Sequence, residues 1–211
     1  MTPSQSAVGP SRCATSSCTR SEASGERSSC AASPTKVRCR LVEDLLTLAR
    51  LDESGNLGRR EPLALDELVG SVVSGYVHAR VPVRLDATPV TVAGNPDALR
   101  RVVINLVDNA VRFATTEVLV TLGPTTRDGE PRALLTVEDD GPGIPPAERS
   151  KVFDRFYRVQ ESRSRASGGT GLGLSIVRDI VRNHGGRVRM TERAGSARGL
   201  RAEVLLPAGE A

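Results

Sequence analysis

A two-layer α+β sandwich, with a mixed sheet covered by helices on one face, is the fold class this sequence predicts. Three observations carry it. Apolar residues recur at helical spacing in three stretches after residue 61, within 66–78, 97–113 and 171–184. Short runs rich in Val, Leu and Thr lie between them and at the end of the chain. Their order is not strict β-α-β alternation, so a doubly wound parallel sheet does not fit and a mixed sheet does.

The elements can be taken in order. Residues 1–38 are rich in Ser, Ala, Thr, Arg and Cys and contain no Leu, Ile, Phe, Tyr or Trp. Such a segment cannot bury enough apolar area to offset its ordering entropy, so a disordered tail is expected. At 39–52, CRLVEDLLTLARLD, Leu41, Val42, Leu45, Leu48, Ala49 and Leu51 recur at helical spacing, and Asp52, Gly55 and Asn56 stop the helix. Alone it is marginal, and its apolar stripe wants a partner helix. EPLAL at 61–65 reads as a strand, and Asp66 is expected to cap a helix through about His78. VPVRLDA and VTVAG read as strands, and Asn95-Pro96 announces the helix 97–113. EVLVTLG and RALLTVED follow as strands joined by a polar turn. A Gly/Pro turn at 141–146, a short helix, an Arg/Ser/Gly-rich loop at 158–169 and a helix at about 171–184 come next. The hairpin GRVRMTE and GLRAEVLL closes the chain.

The totals narrow the function classes. The 211 residues suit one domain of ordinary size plus an appendage. Aromatics make up only 2%, so the core must rest on Leu, Val, Ile and Ala. A net charge of +4 suits phosphate binding, but without basic runs and interleaved aromatics it does not argue for nucleic acid. No stretch reaches the ~18 apolar residues of a membrane span, and no secretory signal is visible. A cytoplasmic chain without a membrane segment is therefore expected. Cys13, Cys18, Cys30 and Cys39 form no CxxC pair and no zinc site, and read as unpaired thiols.

Four constellations stand in order. In Asn105-Leu106-Val107-Asp108-Asn109-Ala110-Val111-Arg112-Phe113, two amides four residues apart share a helix face. Amide oxygens suit a hard cation that phosphates also hold, and Arg112 lies one turn on. Glu138-Asp139-Asp140-Gly141-Pro142-Gly143-Ile144 ends an apolar strand. A carboxylate there can accept from an amino group, and glycine lets the backbone approach a ligand. Val152-Phe153-Asp154-Arg155-Phe156-Tyr157-Arg158 holds two phenylalanines three apart, read as core anchors for a loop. Gly168-Gly169-Thr170-Gly171-Leu172-Gly173-Leu174-Ser175-Ile176 opens a helix, where free N–H groups and the helix dipole favour phosphate. It is neither a Walker loop nor a Rossmann turn.

In order and spacing these four stretches resemble the N, G1, F and G2 boxes of the catalytic ATP-binding domain of bacterial sensor histidine kinases. That domain falls in the superfamily that includes gyrase and MutL-type ATPases. The resemblance covers about 61–208 and implies a Bergerat-type fold binding ATP and Mg²⁺. By position it implies Asn109 as the Mg²⁺ ligand with Asn105 beside it, and Asp140 as the carboxylate for the adenine amino group. Gly141, Gly143 and Ile144 would shape that pocket. Gly169, Thr170, Gly171, Leu172 and Gly173 would cradle phosphates, with Arg112, Tyr157, Arg158 and Arg163 beside the nucleotide. Hydrolytic relatives carry a water-activating Glu where Asn105 stands. An amide is no general base, so Asn105, with Arg112, points to phosphoryl transfer.

The resemblance also implies partners. These are a histidine-bearing dimerisation hairpin, in trans or from a full-length gene, and a response regulator receiver domain. Full-length relatives are usually membrane-anchored. Residues 39–53 resemble the end of the hairpin's second helix, but the histidine-bearing first helix is not found. His78 and His184 are no phosphoacceptors, and His184, at a helix C-terminus before Gly185-Gly186, suits the dipole. Two explanations of residues 1–39 stand open: a segment read out of frame in a former full kinase gene, or a natural tail. Two further functional readings are an inactive or stand-alone nucleotide-binding module and a serine kinase of the anti-sigma-factor type.

Overall fold

The computed structural model describes residues 59–159, 170–193, 195 and 198–209. The expectations for the tail, the four cysteines and the helix at 39–52 fall outside the described residues, as do those for most of the 158–169 loop.

The described chain runs β1 (Glu61–Ala64), α1 (Leu65–Val73), β2 (Val83–Ala87), β3 (Thr91–Gly94), α2 (Pro96–Phe113), β4 (Val118–Arg127), β5 (Glu130–Asp139), α3 (Gly173–Asn183), β6 (Arg187–Glu192) and β7 (Leu200–Pro207). Short 3₁₀ turns stand at Ser74–Tyr76, Pro146–Glu148 and Lys151–Phe153. Five strands form one sheet in the order β2-β4-β5-β7-β6, and β1 pairs with β3 separately. The β2–β4 pair is parallel and the other pairs of the large sheet are antiparallel. The sheet is therefore mixed, as the irregular element order predicts.

The register explains why the helices lie on one face. Val120, Val137, Ala202 and Met190 form one row across four strands, and Leu122, Leu135, Val204 and Val188 form the next. Most of these side chains are buried, with Val188 partly so. Against them pack α2 over β4 and β5, α3 over β6, and α1 over β2, with α2 touching both other helices. The alternate rows mix leucines such as Leu119, Leu134 and Leu205 with the charged residues of the sheet. Arg189 and Arg201 pair with Glu203, Arg201 and Arg193 pair with Glu138, and Arg193 pairs with Glu117. One face apolar and the other carrying the charges is the period-two pattern of a sheet with one covered side.

Local chemistry sets most element ends. The Asn95 side chain accepts from the Ala98 N–H at 2.9 Å, and Pro96 opens α2 without needing a donor. The β4–β5 turn is Asp128-Gly129, both at positive φ (54° and 81°), as a two-residue hairpin that matches strand twist requires. Asp66 is not the cap of α1. Ala64 holds the cap position, and the Asp66 carboxylate in the first turn accepts from the Val90 N–H at 3.3 Å. The helix also stops at Val73 rather than His78. There the Ser74 hydroxyl donates to the Ser71 carbonyl at 2.9 Å, and Ser74-Gly75 are poor helix formers. No helix among the described residues is long and apolar enough to cross a membrane.

His184 does not serve as a cation for the dipole of α3. It is buried; its Nε2 accepts from the Asn95 N–H at 3.1 Å, and its Nδ1–H donates to the Ile180 carbonyl at 2.8 Å. Burial is the main cause that holds its pKa below the ordinary histidine value, with Arg60 adding repulsion and the Ile180 bond opposing. The neutral ring thus pins the end of α3 to the start of α2. A histidine with a lowered folded pKa adds stability above about pH 6.5 that is lost as pH falls through the folded value. His184→Ala is expected to lose about 2 kcal/mol at pH 7.5 by orphaning the Asn95 donor. Urea melts should show that penalty shrinking as pH falls from 7.5 to 5. A penalty independent of pH would contradict this account.

Candidate nucleotide site

The site is built along α2, whose middle meets the start of α3 and whose end meets the turn after β5. Leu99, Val102, Val103, Leu106 and Val107 turn one side of α2 into the core, and Asn105 is buried on the flank that meets α3. A Cβ placed on Gly173 would sit 3.4 Å from Asn105 Oδ1. The missing side chain is what brings the first turn of α3 onto that amide. No side chain caps α3, although the Thr170 hydroxyl accepts from the Leu172 N–H at 3.3 Å. The N–H groups of its first turn and the positive dipole end therefore lie beside an amide oxygen. Leu172 is fully buried. This accounts for Gly-Leu-Gly: the leucine anchors the loop in the core while the glycines keep its backbone close.

Asn109 lies one turn beyond Asn105 and is half-buried. Arg112 is half-buried near the end of α2, its guanidinium carbon 5.3 Å from the centre of the Phe113 ring. Arg80 closes the same end by donating to the carbonyls of Val111, at 3.0 Å, and Ala114.

The two carboxylates at the end of β5 have different surroundings, and Asp140, expected to meet adenine, already has partners within the protein. Asp140 turns toward the loop after α2. Its Oδ1 accepts from the N–H groups of Thr115 at 2.7 Å and Thr116 at 3.0 Å. Its Oδ2 accepts from the Thr116 N–H at 2.9 Å and from the Thr116 hydroxyl. Both oxygens are thus committed to protein donors. Asp139 instead falls on the covered face, in register between Val118 and Leu200. It is 5% exposed, and its Oδ1 accepts from the Gly141 N–H at 2.9 Å. Burial pushes its pKa up to about 6, helped by the charge of Asp140 and opposed by the Gly141 bond and Arg193. The strand alternation Ala133, Leu135, Val137, Asp139 is the signal that finds this residue. Reading the acidic cluster as a turn passes over it.

Glycines set the turn that follows. A Cβ on Gly141 would collide with the Phe113 carbonyl oxygen at the end of α2. Gly143, at φ 77°, has its α-carbon against the backbone of Gly199, and a Cβ there would lie 3.0 Å from the Gly199 oxygen. Ile144 packs partly buried against the core.

The phenylalanine pair divides. Phe153 is buried as expected, but Phe156 is 66% exposed at φ 64° and is no core anchor. Its N–H donates to the Gly171 carbonyl at 3.0 Å, and Gly171 is itself left-handed at φ 72°. Ion pairs Arg178–Asp154 (3.2 Å) and Arg155–Asp179 (3.6 Å) fasten this segment to α3. Tyr157 packs partly buried against the core, and Arg158 is half-buried. Arg163 and Gly169 lie outside the described residues. The structure therefore brings together Asn105, Gly171, Leu172 and Gly173 on one side, and the end of α2 with Gly141 on the other.

The chain is similar to known proteins. Residues 94–210 match the family described as histidine kinase-, DNA gyrase B- and HSP90-like ATPase. The signal transduction histidine-protein kinase/phosphatase MprB of Mycobacterium avium is 40% identical over 79% of this chain and 32% of its own length. The chain thus spans about a third of that relative. A solved structure of the mycobacterial sensor histidine kinase MprB superposes with a TM-score of 0.61 at 32% identity, covering 72% of this chain and 99% of that one. Full-length ShkA in complex with AMPPNP gives a TM-score of 0.69 at 26% identity, covering 84% of this chain and 37% of that one. The chain belongs to the histidine kinase-, DNA gyrase B- and HSP90-like ATPase family.

Proposed function

We propose that this chain binds Mg-ATP and passes its γ-phosphoryl group to a histidine of a dimerisation hairpin in a two-component phosphorelay. The observation that carries the reading is Asn105, buried on α2 against the uncapped start of α3. The phosphate end thus offers amide oxygens and backbone N–H groups, which orient a triphosphate without supplying a base for water.

The residues fit the magnesium nucleotide. Asn105 and Asn109 give hard oxygen donors one turn apart. The N–H groups at Gly173 and beyond face phosphate oxygens, and Arg112, Arg158 and Arg163 add positive charge. Asp139 is the carboxylate for the adenine amino group: ionised, it is acceptor-only, and its Oδ1 already holds the Gly141 turn. When bound, the metal neutralises phosphate charge and fixes the γ-phosphorus for an incoming nucleophile. Similarity to MprB and ShkA supports this reading. The histidine hairpin and a receiver domain are the partners it requires.

The test is transfer from [γ-³²P]ATP to a separately produced histidine-bearing hairpin. Acid-labile, base-stable label on the hairpin is expected, with little free phosphate released. Asn109→Ala should lower transfer by about 100-fold by removing one metal donor. Label on serine, or rapid release of phosphate without transfer, would contradict the proposal.

A further inference from the structure

Asp140 lies beside the proposed adenine carboxylate, yet its side chain serves a different part of the fold. Successive N–H groups of Thr115 and Thr116 converge on it, with the Glu117 N–H more distant at 3.4 Å. The Thr115 hydroxyl returns a bond to the Asp140 carbonyl at 3.2 Å. Successive backbone donors around one acceptor form an anion nest. This nest is filled by the chain's own carboxylate. Burial acts against its charge, but the Thr116 hydroxyl and the N–H groups of Thr116, Thr115 and Glu117 hold its pKa well below the usual carboxylate range.

The nest immediately follows α2, the helix that carries Asn105, Asn109 and Arg112. Asp140 immediately precedes Gly141, whose N–H holds Asp139 and whose α-carbon abuts the Phe113 carbonyl. Sequence neighbours of Asp140 thus form the adenine side of the proposed site, and its hydrogen-bond partners directly follow the helix that carries the phosphate-side residues.

We infer that Asp140 is a positioning residue, a clamp that locks the adenine-recognising turn to the end of the phosphate-side helix. The inference rests on the nucleotide-site reading above. Losing the clamp lets Asp139 shift relative to Asn105 and Arg112, so both affinity and base selectivity suffer. A carboxylate in contact with adenine itself would instead be nearly all-or-none when replaced.

The experiment titrates the full chain with Mg-ADP and with Mg-GDP from pH 5 to 8. Asp140→Ala is expected to bind Mg-ADP about 10-fold more weakly, and Asp140→Asn roughly threefold, because an amide presents a donor to part of the nest. The preference for ADP over GDP should narrow in Asp140→Ala. A 6-amino group needs a placed acceptor and a 6-oxo group is repelled by it. The pH midpoint of binding should fall in both variants, because the negative neighbour of Asp139 is gone while Arg193 still faces it. Thr116→Val removes only the hydroxyl bond and should give roughly a twofold loss. It keeps the test open if Asp140→Ala does not fold. Wild-type affinity in these variants overturns the clamp, as does weaker binding with midpoint and base preference unchanged. The control is Asp139→Asn: if it leaves Mg-ADP affinity intact, the adenine assignment itself fails.

Discussion

Asp139→Asn is expected to weaken Mg-ATP binding by about 100-fold while making the nucleotide-free chain more stable at neutral pH. The two effects share one cause. The Asp139 side chain sits on the covered face of β5, in the row of Val118 and Leu200, where burial penalises its charge. Its pKa rises from 3.8 to about 6. A carboxyl with a raised folded pKa favours folding while protonated, and that contribution is lost as pH rises through about 6. Above that pH the charged form costs up to about 3 kcal/mol. Asparagine keeps the acceptor for Gly141 and removes the charge, so a higher melting temperature at pH 7.5 and a smaller change at pH 4 are expected. It also turns an amide donor toward the adenine amino group, so binding fails. In the wild type, affinity should fall as pH drops through about 6, because protonation removes the acceptor charge. Calorimetric titration with thermal melts from pH 4 to 8 checks both. A variant that binds normally, or is less stable at pH 7.5, would remove Asp139 from this role.

The fold was legible because its signals are local and repeated. Period-two strands and period-3.6 helices identify the layers, and Asn95-Pro96 and Asp128-Gly129 mark their ends by donor and φ requirements. The start of α3 was equally legible, since Gly171-Leu172-Gly173 opens it with a buried leucine between two glycines whose backbones lie close to neighbours. Adjacent carboxylates were harder. Asp139 and Asp140 are chemically identical, and only the face of β5 separates them: the alternation through Val137 assigns Asp139 to the core side. Asp140's partners lie 24 and 25 residues earlier in the chain, a pairing no local pattern encodes. The neutral state of His184 is similar, because its Nε2 partner is the backbone N–H of Asn95, 89 residues away. For Phe156 aromatic spacing suggests burial, yet its ring is exposed and its backbone N–H bonds the Gly171 carbonyl, a pairing no local pattern encodes.

Gly141→Ala is expected to cost about 3 kcal/mol of stability and roughly 30-fold in Mg-ADP affinity. The added Cβ would collide with the Phe113 carbonyl oxygen and come within 2.8 Å of Asp139 Oδ1 and 3.0 Å of the Phe113 carbonyl carbon. Two of these atoms are backbone, and neither can rotate away as a flexible side-chain end would. The helix end cannot retreat cheaply either. The Ala114 N–H bonds the Ala110 carbonyl at 2.7 Å, and Arg80 holds the Val111 and Ala114 carbonyls. The turn must move instead, and Asp139 moves with it because its Oδ1 holds the Gly141 N–H. Gly75→Ala is the matching control. Nothing lies within 4 Å of its Cβ position, and its φ is not positive. Alanine there should be neutral or stabilise by up to about 1 kcal/mol through a stiffer unfolded chain. Urea midpoints for both variants, followed by Mg-ADP titration of each, separate the cases. Equal midpoints would mean that the α2 end and the turn are not in close contact. A destabilised Gly141→Ala with normal affinity would mean that the turn moves without carrying Asp139.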